Sequence, residues 1–533
     1  MAEADAVVAS TLKRRRVRLS QVAIAGIVCI AGGLGFFLTK DIFTPAYPAW
    51  PQFDHRHDLS KEDIARLTPL LAVPDDFSKP QPFEINSGGA ATSHARINRN
   101  AFSLPSANLT MEGRERFLVG NGLFRKVWVS SPSSTAASDG LGPLFNARGC
   151  QRCHLKDGRG HPPATADDDT ESLLVRLSVP ARSEAERQAL ADGSRNVIPD
   201  PVYGGQLQDN AVPGLAAEAK IRIDWQEFEV PLNGDAPAKL RRPILTLDNP
   251  GYGPFDPELM TSIRVAPPMI GLGLLEAIHE GDIYALEDPD DKNGDGISGR
   301  AHRVRHPVTG EIVLGRFGWK AAVPTITIQT AEAFLNDMGI STPLRPMAHG
   351  DCTPMQQDCR AMPHGVQPEL GDTEAPDPIL ALVSFYSSNL AVPARRHVDV
   401  PDVLRGKALF HESGCAACHH PNYVTRRDAE QPEHRFQLIW PYTDLLLHDM
   451  GEGLADNRPD GQASGREWRT PPLWGIGLTK VVSGHTQFLH DGRARSLLEA
   501  ILWHGGEAET AKSRVAAMTP QDRAALIAFL ESL

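Results

Sequence analysis

The period of the hydrophobic positions changes several times along the chain, and each change predicts an element. In "TPQDRAALIAFLESL" at the C-terminus, Leu526, Leu530 and Leu533 fall on one helical face, with Thr519 placed to cap the first turn and Pro520 at its first position. "DVLRGKALF", Asp402 to Phe410, predicts a partner helix that crosses it. Residues from Ala494 to Trp503 predict another, with Leu498 and Leu502 one turn apart and Gly505 and Gly506 as its stop. "LLVRLSVP" and "KIRIDWQEFEV" instead alternate with the period of two that strands require. The run Val22–Leu38 is uncharged and apolar throughout, and Lys13, Arg14, Arg15, Arg16 and Arg18 precede it. It predicts an N-terminal transmembrane helix within residues 1–40, an uncleaved signal anchor to the inner membrane, with a cleaved export signal as the alternative.

Above the elements lies a repeat. "LFNARGCQRCH", Leu144 to His154, returns as "LFHESGCAACH", Leu409 to His419. "PPMIGLGL", from Pro267, returns as "PPLWGIGL", from Pro471, and "LVSFYSS", from Leu382, as "LIAFLES", from Leu526. Three elements recurring in one order predict a duplicated domain.

The first repeated string carries the chemistry. In C-x-x-C-H, two thiols three positions apart can each add to a vinyl group of one haem, and the following imidazole can bind its iron. The rival readings are a zinc site, which wants a second ligand pair near by, and a redox dithiol, which wants a βαβ context; the sequence offers neither. Two covalently bound haem c groups are therefore expected, one on Cys150, Cys153 and His154 and one on Cys415, Cys418 and His419. The predicted fold is mainly α: two cytochrome c-like haem lobes from an internal duplication. The N-terminal lobe (41–395) is enlarged with irregular chain and short strands, and the C-terminal domain (396–533) is compact.

Composition adds less. The 533 residues carry seven cysteines and a net charge of −12. That charge argues against nucleic acid and is compatible with a basic electron donor. Haem is attached to this motif outside the cytoplasmic membrane, so the body is expected in the periplasm. There the two cysteines left over in "DCTPMQQDC", Cys352 and Cys359, are expected to form a disulfide, with a redox-active pair as the rival. In "DPDDKNGDGISGR", Asp291, Asn293 and Asp295 alternate before Gly296 as calcium ligands do, but the twelfth position is His302 rather than Glu, so a self-bonded turn competes with calcium. The histidines of "HRHD" and "CHHP" read as exposed.

The longer strings "AFSLPSANLT", "DGLGPLFNARGCQRCHLKDGRG", "YGGQLQD", "GRFGWKAAVPTITIQTAEAFLNDMGIS" and "FLHDGRARSLLEAILWHGGEA" resemble the di-haem oxidoreductase (putative peroxidase) branch of the bacterial di-haem cytochrome c peroxidase superfamily, over roughly residues 85–533. The resemblance implies a peroxidase-type oxidoreductase. Hydrogen peroxide would be reduced at the N-terminal haem, with electrons entering from a small periplasmic donor such as a cytochrome c through the C-terminal haem. It implies Trp319 as a relay between the haems, Gln329 as a hydrogen-bonder in the peroxide pocket and Asp337 as the acid–base carboxylate, each with a core or surface role as its alternative. Asp337 stands where the relatives have Glu, and it lies closer to the Gln than theirs does. His504 stands where a relative's Met closes the second iron, and Met450 is its rival. An electron-transfer cytochrome without catalysis, or a maturation oxidase acting on a partner protein, remain the alternative functions.

Overall fold

The computed structural model describes residues 50–135, 138–164 and 171–533. Thr44–Leu533 packs as one compact unit, and the other, Met1–Phe43, lies outside the described residues. Helix accounts for 30% and strand for 16%. The mainly helical expectation is therefore corrected to a mixed fold. The difference comes from the chain between the first C-x-x-C-H string and Pro267, whose β-branched and alternating stretches form two antiparallel strand pairs. Leu173–Ser178 pairs with Met260–Val265, and Lys220–Val230 pairs over its full length with Ala238–Asp248. The expected N-terminal transmembrane helix is also withdrawn. No helix among the described residues is long and apolar enough to cross a membrane, and the run that suggested one lies outside them.

The second strand pair is a long arm. Ile221 and Ile223 are buried near its base, while in its far half residues 224–229 are mostly exposed and Leu240 on the paired strand is buried in the core. The arm is held along its length, by Arg495 on Glu227 and Lys239 O, and again at its tip. Asn233 N donates to Ala516 O at 3.0 Å, and the Arg523 guanidinium reaches Asn233 O and Asp235 Oδ2 at 2.8 and 2.6 Å. One apolar core runs from Leu173, Val175 and Leu177 through Trp319 to Phe410, Leu526 and Phe529, so the strands of the first half share a core with the helices of the second.

Two helix pairs frame the C-x-x-C-H strings. Pro401–Glu412 crosses Pro520–Ser532, as the sequence predicted, and Met111–Phe124 crosses Asp377–Ser388. A glycine sits at each crossing, because a methyl group on Gly406 would overlap Ala525 O and one on Gly120 would overlap Leu382 O. The two Pro-Pro repeats face each other. Gly271 and Gly475, at matched positions, both take the left-handed conformation, with φ of 70° and 73°. A Cβ on Gly271 would strike the Trp474 ring, and one on Gly475 would strike Ile270. Ile270 and Trp474 are themselves matched positions of the repeat, so each repeat inserts a side chain over the other's glycine.

Candidate functional site

The first string forms a single helical turn, Cys150–Cys153. The strand pair below it supplies two acceptors. Leu173 and Val265 are opposite each other. Two residues beyond that rung on either strand, Glu171 O accepts from the Cys153 thiol at 2.7 Å, and Pro267 O lies 2.9 Å from His154 Nδ1. His419 repeats the arrangement with Tyr442 O at 3.0 Å. A carbonyl at Nδ1 fixes the proton there and leaves the Nε2 lone pair for a metal. Burial pushes both imidazoles down to about 4, so each is neutral at physiological pH. Cys150, Cys153, Cys415 and Cys418 are all free thiols, partly buried, and burial pushes Cys150 up to about 12 and Cys415 to about 11. Four unoxidised thiols and two neutral, oriented imidazoles are a donor set that fits two haem groups. The other two cysteines among the described residues, Cys352 and Cys359, are joined as a disulfide.

Asp337 lies in the last turn of the helix Ile326–Met338. Its carboxylate is close enough to both Cys150 and Cys153 to raise their pKa values after burial has done so. Its backbone carbonyl accepts from Asn146 N and Ala147 N at 2.9 and 3.0 Å, which ties the helix end to the chain entering the string. Burial raises the Asp337 pKa, while the Arg176 guanidinium and the Gln206 amide partly offset that rise. Gln206 Nε2 donates to Asp337 Oδ1 at 2.9 Å and also reaches Asn146 Oδ1 and Asn336 O. Gln206 is therefore the amide that holds Asp337. Gln329 is eight residues earlier on the same helix, about 12 Å along its axis, and its side chain lies toward Gly318. The "YGGQLQD" string contained Gln206, but nothing in one sequence links it to a carboxylate 131 residues away.

Trp319 is 7% exposed and spans the two Pro-Pro strands. Its Nε1 donates to Val265 O at 2.9 Å, two residues before the Pro267 that orients His154. Its carbonyl accepts from Arg469 N at 2.9 Å, two residues before Pro471.

Around the second string, His504 follows the helix Leu497–Leu502, shorter than predicted, and Gly505 and Gly506 redirect the chain after it. His504 Nδ1 lies 2.7 Å from Ala500 O. The imidazole is near enough to His419 to depress that residue's pKa, second only to burial. Met450 lies on the same wall, its carbonyl against Gly505. His448 is buried between Asp444 Oδ2 at 2.8 Å and Glu507 Oε2 at 2.6 Å, with Cys418 Sγ at 3.6 Å. Burial disfavours its charge, but the sulfur and the carboxylates more than offset this and raise its pKa.

The Asp291–Asp295 loop closes on itself. Asp291 accepts from Gly296 N, Asn293 Oδ1 from Asp295 N and Asp295 Oδ1 from Ile297 N, at 2.9 to 3.2 Å. His302 is fully buried with both ring nitrogens engaged, at Lys320 O and Gln462 N, and does not complete a calcium shell.

The family model described as "Di-haem oxidoreductase, putative peroxidase" matches residues 84–252 and 253–533. No curated protein matches the chain. One solved structure, "Kuenenia stuttgartiensis Hydrazine Synthase Pressurized with 20 bar Xenon", is 19% identical over 30% of this chain, with a TM-score of 0.21. The match spans 55% of that chain, little more than half of its length.

Proposed function

The chain belongs to the di-haem oxidoreductase, putative peroxidase family, and from that premise we propose that it reduces hydrogen peroxide in the periplasm. Haem c is covalently held on Cys150 and Cys153 and on Cys415 and Cys418, with His154 and His419 as the respective iron ligands. Electrons come from a small donor protein, such as a cytochrome c, through the second haem. When bound, haem supplies the redox-active iron and the path by which electrons reach the peroxide.

The observation that carries the catalytic reading is Asp337, a carboxylate beside the first pair of thiols whose proton affinity is raised by burial. Breaking a peroxide bond needs a group that takes one proton and returns it to the departing oxygen, and such a group works best with a pKa near the working pH. Gln206 fixes the orientation of Asp337 by donating to one oxygen, which leaves the other to hold peroxide. Trp319 joins the strand that leads to Pro267 through its indole and the strand that leads to Pro471 through its backbone carbonyl.

The test is Asp337→Asn in the haem-loaded protein. Peroxide turnover should fall on the order of a hundred-fold or more, with haem content and spectra unchanged. In the parent, activity should disappear on acidification at a pH above the ordinary carboxylate range, since a base with a raised pKa is protonated earlier. That acid limb should vanish in the variant. Unaltered turnover would show that Asp337 is not the base. A parent inactive with every donor would favour an electron carrier.

A further inference from the structure

A third group of ligating side chains lies apart from both haem strings. His55 Nε2 stands 2.7 Å from Asp282 Oδ1. One donor atom each from His55, His279 and Asp282 lies within 4.8 Å of the others. The two imidazole rings are 5.5 Å apart and tilted by 35°. Asp282 is buried and both histidines are half-buried, so the group opens toward solvent on one side.

Charge around the group leaves room for a cation. Arg56 Nη1 donates to Asp282 Oδ2 at 2.8 Å, but the same guanidinium is met by both oxygens of Asp58, at 2.8 and 2.9 Å. Asp58 thus answers Arg56, and Asp282 Oδ1 keeps only the proton it shares with His55. Two imidazoles and one carboxylate oxygen suit zinc, which binds such donors at about 2.0–2.2 Å and keeps a fourth position for water when only three are protein ligands.

We propose that His55, His279 and Asp282 form a zinc site. The ion takes the place of the proton between His55 Nε2 and Asp282 Oδ1. His279 now caps the helix Glu280–Tyr284 by accepting from Gly281 N at 3.0 Å, and it exchanges that bond for the metal. Bound zinc fastens the chain around His55 onto the segment that carries His279 and Asp282. Trp50 already packs edge-on against His420 with ring centroids 4.5 Å apart, and Arg56 Nη1 donates to Val424 O at 3.0 Å. The site therefore steadies residues 50–58, which through Trp50 and Arg56 also cover the segment that directly follows the second haem string. The competing account is a His–Asp hydrogen bond within an ion-paired clasp that binds no metal.

The two accounts separate in the haem-loaded full-length protein, stripped with a chelator and titrated with zinc chloride by calorimetry, with metal content measured after gel filtration. One zinc per chain is expected, with a higher Tm and slower proteolysis within residues 50–60, and with haem spectra unchanged. His279→Asn removes the imidazole but keeps a good helix cap, so loss of zinc in a folded His279→Asn protein supports the site. His55→Ala should lose it as well. A parent that retains no zinc overturns the proposal. So does equal zinc retention in His279→Asn, which would place the ion elsewhere, such as at the His161–His485 ring pair, 4.8 Å between centroids.

Discussion

At His504 one side chain faces the second C-x-x-C-H string. The imidazole sits at a helix end, its Nδ1 against a backbone carbonyl and its charge felt by His419. His154 and His419 also hold Nδ1 against a backbone carbonyl, and on that likeness we propose His504, ahead of Met450, as the sixth ligand of the second haem. A thioether in its place favours the reduced iron. In His504→Met the potential of the second haem should rise, on the order of 100 mV, and a near-infrared Met–iron charge-transfer band should appear. A parent that already shows the band would assign Met450 instead. At this scale the sequence was legible in the family that its two C-x-x-C-H strings point to, because those residues are neighbours in the chain. Gln206 was not legible, because its role exists only where Leu173–Ser178 and the helix Ile326–Met338 bring it to Asp337.

Among the elements, the helix pair Pro401–Glu412 and Pro520–Ser532 depends on a backbone contact at Gly406, which has no room for a methyl group. Gly406→Ala should destabilise the protein by about 1–3 kcal/mol, as overpacking does. Thermal unfolding monitored by the haem band would measure it. The same change at Gly122, also in a helix but with open space around its Cβ position, should be neutral or slightly stabilising, since Ala is the better helix former. Helix starts were legible from Thr519 and Pro520, and the strand period from "KIRIDWQEFEV". The arm that this strand forms was not. Its outer half is held by residues distant in sequence, Leu240 in the shared core, Arg495 on Glu227 and Lys239 O, and Arg523 at the tip, and these contacts exist only in the fold.

For the molecule as a whole, Trp319 is the residue to change. It is hydrogen-bonded to both Pro-Pro strands and lies in the core shared by the two halves. Trp319→Phe keeps an aromatic ring but loses the bond to Val265 O. If the ring carries electrons between the haems, oxidation of the second haem after a peroxide pulse should slow in stopped-flow absorbance, while the spectrum of each haem at rest stays the same. An unchanged rate with intact spectra would leave Trp319 a packing residue. The crossed insertion of Ile270 and Trp474 over Gly475 and Gly271 has a consequence for the history of the chain. After a duplication, two copies are ordinarily free to drift apart. Here a bulky residue at position 474 is tolerable only while position 271 remains bare, and the same holds for 270 and 475. Across homologues these four positions should covary in crossed pairs, so that neither copy could be lost, replaced or redesigned without its twin.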